Sequence, residues 1–248
     1  MANISHLSVQ YILKMLSDDV KIRTFDDGIL SINSAGYLDK QIKLRKGPGR
    51  KLTRMWLGQH YNIRDIAKRS ELHFSIVKHK SKSRNVDCDI VYIDVLSEEK
   101  QRLHTERSAP VYAGEINVFV GSKFKDILDV KNDSNLIALI HKIETLAAHY
   151  PSLQYLRHPR EYSQQVFGMT EITLNAISED YICQLSSAYQ RVNVFGFAST
   201  CQLNVMKLEN VYITLLKTTL IRPDIRDSFA LFSDSDKVRI CDLDSMEP

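Results

Sequence analysis

The sequence is poor in the residues that usually announce a chemistry. Only four cysteines, six prolines, nine glycines and one tryptophan occur among 248 residues. Cys88, Cys183, Cys201 and Cys241 lie at least 18 positions apart and form no CxxC pair, so neither a zinc ribbon nor a dithiol redox motif is spelled. Reduced thiols are the expectation. No apolar run approaches the roughly 18–20 residues of a membrane span. The N-terminal stretch lacks a cationic start ahead of an apolar core, so no secretory signal and a cytoplasmic location are predicted. The phosphate-loop pattern GxxxxGKS/T, the dinucleotide pattern GxGxxG, the serine elbow GxSxG and the zinc pair HExxH are also missing. Their absence leaves no motif for nucleotide hydrolysis, serine catalysis or zinc binding.

What is present is globular. With 44% apolar and 25% charged residues, the chain can bury a sizeable core and is neither fibrous nor wholly disordered. A single α/β domain is expected over residues 1–223, and the acidic stretch 224–248, with seven acids against three bases, reads as a flexible tail. The net charge of +3 hides an uneven distribution: residues 40–84 hold 14 Lys and Arg against two acids. Such clustering is the footprint of a surface that meets a polyanion. Lys43, Arg45, Lys46, Arg50, Lys51 and Arg54 flank the loop Gly47-Pro48-Gly49, and Lys80, Lys82 and Arg84 form a second cationic loop. These nine side chains are the predicted nucleic-acid contacts, with DNA the favoured partner; a solvated basic face is the plainer alternative. Trp56 reads more readily as a core residue than as a base-stacking platform, and His73 as a surface or hydrogen-bonded histidine than as a metal ligand.

Periodicity predicts a helix over 6–17, a hairpin formed by 20–25 and 29–32 around Asp26-Asp27-Gly28, and a polar helix over 61–70. Strands follow at 72–77, 86–95 and 115–124, then a helix over 135–149 that stops before Pro151. Further on, helices are expected near 179–191 and 206–220, with a strand at 192–198 between them.

The order Glu71, strand, Asp87-Cys88-Asp89, strand, Gly121-Ser122-Lys123-Phe124, long helix resembles the PD-(D/E)xK, or restriction-endonuclease-like, nucleases over roughly residues 40–150. The resemblance implies a mixed β-sheet flanked by helices and Mg²⁺- or Mn²⁺-dependent cleavage of DNA, in phage defence or mobile-element biology. It makes Asp89 the metal anchor, Lys123 the group that positions the attacking water, and Glu71 and Asp87 supplementary carboxylates. Gly121 stands where the family's pattern has Glu, which removes a principal ligand. A second register pairs Asp89 with Glu115-Ile116-Asn117 instead. The missing carboxylate equally favours an inactive nuclease-like scaffold or nucleic-acid-binding subunit, and a homodimer or partner subunit belongs to either reading. A third possibility is a protein-interaction domain whose basic patch meets an acidic partner.

Overall fold

The computed structural model describes residues 7–16, 19–26, 68–77, 88–98, 112–161, 168–173, 177–233 and 235–247, together with Leu52, Met55, Trp56 and Ile66. The chain divides into two compact units, Met1–Asp94 and Val95–Pro248, where one domain was expected over 1–223.

In the first unit, helix α1 (Leu7–Met15) buries Leu13 against Ile22 and Ile66, with Val9 packed on that cluster. Strands β1 (Ile22–Phe25), β2 (Ser70–Ser75) and β3 (Asp89–Tyr92) form a three-stranded sheet in that order, parallel throughout. The predicted hairpin is therefore not what β1 builds: its partner is β2, with Phe25 opposite Phe74. Residues 29–32 lie outside the described residues. In the stretch expected as a helix over 61–70, Ile66 and Lys68 are helical, and Ser70 already opens β2.

The second unit alternates strand and helix. Its elements are β4 (Tyr112–Val120), α2 (Phe124–Ile127), α3 (Asp133–His149), β5 (Gln154–Leu156), β6 (Thr170–Ile172), α4 (Ser178–Ala188), β7 (Tyr189–Gly196), α5 (Thr200–Val205), β8 (Val211–Lys217), α6 (Pro223–Asp227), a 3₁₀ turn (Ser228–Phe232) and β9 (Val238–Asp242). Helix α3 starts where the Asn132 side chain accepts the Asn135 N–H at 2.7 Å, and it buries Leu139, Ile143, Leu146 and Ala147. The six strands lie in the order β6-β5-β4-β7-β8-β9, every pair parallel. Val118, Phe119, Val194, Phe195, Ile213 and Leu216 are wholly buried, as expected of central strands covered on both faces.

The α/β class stands, but the restriction-endonuclease-like core does not. The sheets are parallel among the described residues, the antiparallel exception being the isolated bridge between Leu128 and Ile221. The three strands that would carry a nuclease site are split, since β2 and β3 belong to one sheet and β4 to another. Two further expectations change. Residues 211–217 are a strand, because a continuous apolar run such as Val-Tyr-Ile-Thr-Leu-Leu suits a strand buried on both faces as well as it suits a helix. The acidic C-terminal stretch is built in rather than frayed: β9 pairs with β8, and Asp244 accepts from Thr218 Oγ1 at 2.7 Å and from the Thr219 N–H at 2.8 Å.

Candidate active site

Counted along the second unit, the strands run 3-2-1-4-5-6, so the chain reverses its direction of travel across the sheet between β4 and β7. Phe195 packs on Tyr150, at the end of α3, with ring centroids 4.8 Å apart, whereas Gly196 faces Gln202 of α5. Successive strand residues point to opposite faces, so α3 and α5 cover opposite sides of the sheet. Loops leaving β4 and β7 thus diverge and open a crevice at the carboxyl ends of the strands, the place where open parallel α/β sheets bind ligands.

Gly121 ends β4. Its N–H donates to Leu156 O at 2.8 Å, and a Cβ there would stand 2.9 Å from both Leu156 O and Tyr155 Oη. The residue is glycine because β5 approaches so closely, which is a packing reason for the departure from the nuclease pattern. Next to it, Lys123 precedes α2 and pairs with Asp126 at 2.7 Å. Asp126 also meets Lys131 at 2.8 Å, and these lysines, Lys123 first, hold its carboxyl down to about 2. The loop after β5 supplies Arg157, His158, Pro159, Arg160 and Glu161. Buried Glu161 accepts the Phe124 N–H at 3.1 Å and so ties this loop to α2. The Arg160 N–H donates to His158 Nδ1 at 3.1 Å, which leaves the neutral ring carrying its proton on Nε2. Burial, then the cations of Arg160 and Lys123, lower the His158 pKa against the opposing pull of Glu161 and Asp126. Arg157 is held by Glu171 at 2.6 Å. Tyr155 Oη is buried without a hydrogen-bond partner among the described residues, and its pKa is raised to about 12, chiefly by burial and then by Glu161.

On the other side of the crevice the chain turns from β7 into α5 through Phe197, Ala198, Ser199 and Thr200. Phe197 packs edge-on against Phe119 at 6.2 Å, and Ala198 takes a left-handed φ of 54°. Ser199 and Gln202 cap α5 reciprocally.

The first unit holds a separate polar constellation around Asp26, which the sequence reading assigned to a hairpin turn. Asp26, just past β1, accepts from Ser75 Oγ at 2.6 Å and the Ile76 N–H at 3.2 Å, and its Oδ1 lies 3.1 Å from His73 Nε2. His73 Nδ1 in turn lies 2.9 Å from Thr24 Oγ1. Burial pushes the Asp26 pKa up, but the bonds from His73 and Ser75 outweigh it and keep the carboxyl below its usual value.

The residues singled out from sequence fare differently. Glu71 is exposed on β2 and pairs with Lys21 at 3.5 Å, and Asp89 is exposed at the start of β3 beside Leu72. Both belong to the first unit and Lys123 to the second. Asp87 and the nine predicted nucleic-acid contacts, Lys43, Arg45, Lys46, Arg50, Lys51, Arg54, Lys80, Lys82 and Arg84, lie outside the described residues. Among the described residues, no group of three or more His, Cys, Asp or Glu could hold a metal ion. Nor is any helix there long and apolar enough to cross a membrane. His158 and Arg160 escaped the sequence reading because β5 has three residues, too few for a period to register, and the 197–200 turn because the left-handed φ falls on Ala198, a residue type that does not signal it.

Comparison with known proteins overturns the nuclease reading, its inactive-scaffold alternative and the DNA partner that came with them. A CMP-N-acetylneuraminate:beta-galactoside alpha-2,3-sialyltransferase of Pasteurella multocida (strain Pm70) is 27% identical over 236 residues, which cover 94% of this chain and 68% of that protein. The family model for glycosyltransferase family 52 matches residues 1–220, from α1 through five of the six strands of the second sheet, β4 to β8. On that match, the chain belongs to glycosyltransferase family 52.

Proposed function

We propose that this chain transfers a sialic acid residue from CMP-N-acetylneuraminate to a galactoside, with the donor seated at the carboxyl edge of the second sheet. The reading draws on the family and on the named activity of the Pasteurella relative. The observation that carries it is the chain reversal between β4 and β7, whose rim gathers Lys123, His158 and Arg160 at the strand ends.

In such a transfer the bond from the anomeric carbon to the phosphate oxygen breaks as a bond to the acceptor hydroxyl oxygen forms. The hydroxyl proton passes to solvent water, and negative charge develops on the departing CMP. Lys123 and Arg160 offset that charge, and His158, with its proton on Nε2, donates to it. The fixed tautomer matters because a ring that can only accept would repel the phosphate. Free thiols at all four cysteines agree with the cytoplasm, which we keep as the proposed location.

The test is galactoside-dependent release of CMP from CMP-N-acetylneuraminate, with the sialylated product identified by mass, run with EDTA and with added Mg²⁺ or Mn²⁺. Lys123→Ala and His158→Ala should each lower kcat/KM about tenfold to a hundredfold. For Lys123→Ala the melting temperature should barely move, since the pair with Asp126 is half exposed and worth at most about 1 kcal/mol. Wild-type protein that neither binds CMP nor forms product under any of these conditions would overturn the proposal.

A further inference from the structure

Gln202 is wholly buried, an unusual place for an uncharged amide with no apolar substitute's advantage. Its Oε1 accepts the Ser199 N–H at 3.0 Å, while Ser199 Oγ accepts the Gln202 N–H at 3.1 Å. The amide Nε2 reaches Val194 O on β7 and Thr214 O on β8, both at 3.5 Å. Bonds of that length return little of what it takes to desolvate the NH₂ group, so the close bond that holds the side chain is the one its Oε1 accepts from Ser199 at the start of α5. What the amide does achieve is geometric, because it spans two central strands and the turn that follows one of them. Gly196 makes room for it: a Cβ at Gly196 would stand 2.9 Å from Gln202 Oε1 and 3.0 Å from its Cδ. Between the two lies Ala198, held at a φ of 54° that a non-glycine residue keeps only when its surroundings dictate it.

We infer that Gln202, seated over Gly196, is a positioning residue that braces the left-handed Ala198 turn and so fixes Ser199 and Thr200 at the donor's edge of the crevice. This inference rests on the donor reading above. A braced turn meets the donor in its bound geometry, whereas a loose one must be ordered by the donor at the expense of affinity.

Gln202→Leu keeps the bulk and removes the brace. The nucleotide-free variant should exchange the Ser199 amide with solvent about tenfold faster than wild type, because that N–H loses its buried acceptor. Its dissociation constant for CMP should rise about tenfold, and its donor KM likewise, while kcat changes less than about threefold. Ala198→Gly supplies the reading that a purely structural role would not give: the left-handed turn is relieved, so the melting temperature holds or rises, yet CMP binds more weakly. Unchanged Ser199 exchange in Gln202→Leu would overturn the brace whatever the protein binds. Normal exchange effects with unaltered CMP affinity in both variants would overturn its role at the donor edge. If wild type itself fails to bind CMP, the donor reading and the role in transfer fall together, and the exchange comparison still decides the brace.

Discussion

At the scale of single residues, Gly121 shows how a side chain's absence is read differently once its neighbours are visible. In sequence it is a gap in a metal site; in space it is the contact that lets β5 close on β4. Gly121→Ala must displace Leu156 O or the Tyr155 ring, and we expect a loss of about 1–3 kcal/mol in urea-induced unfolding. Gly121→Glu should lose at least as much, with no rise in melting temperature on adding Mn²⁺; a metal-dependent rise would contradict the packing explanation. Asp26 gives a pH-dependent counterpart. Its folded pKa lies below the ordinary carboxylate value of 3.8, so its contribution to stability is complete above that value and is lost as the pH falls through the folded pKa. Wild type should therefore exceed Asp26→Ala in stability by about 3 kcal/mol at pH 6, and the gap should narrow below about pH 4. Equal sensitivity to acid in the two proteins would mean that the carboxylate is not held as described.

At the scale of elements, the sheet's last strand depends on a carboxylate that follows it. Asp244 joins Thr218, the Thr219 N–H and Lys142, and these bonds outweigh burial to bring its pKa down to about 2. Asp244→Ala should weaken the docking of β9 by about 1–2 kcal/mol, seen as faster amide exchange over residues 238–242 than over the central strand β7. Elements with a long, regular period were legible in sequence: α1 and α3 lie where the apolar spacing put them, to within a few residues. The buried central strands β4 and β7 were also read as strands, with ends off by a few residues, whereas the three-residue strands and β8 were not. β5 and β6 have three residues each, and β8 is apolar on both faces, so periodicity carried no sign of which structure it would take. β9, in an acidic setting, is stabilised by pairing and by Asp244, neither of which a local reading can count.

For the whole molecule, the expected consequence of two units is that nucleotide acts on one of them. Saturating CMP should slow amide exchange at 121–124, 157–161 and 197–200, with no such protection in β1, β2 or β3. Protection confined to the first unit would place the nucleotide elsewhere.

The sequence by itself determined the α/β class, the want of any apolar run as long as a membrane span and the positions of the long amphipathic helices. Each of these follows from composition or from spacing along a few turns of chain. It also singled out Lys123, though for the nuclease reading that the family match overturns. Tertiary structure alone decided that Asp89 and Lys123 belong to different units, that Gly121 is set by the approach of Tyr155 and Leu156, and that Lys123 shares a rim with His158 and Arg160. The reason is that parallel strands meet only through crossovers of a dozen residues or more. Residues 35 positions apart, such as Lys123 and His158, become neighbours through strand order, and strand order is written in no local pattern.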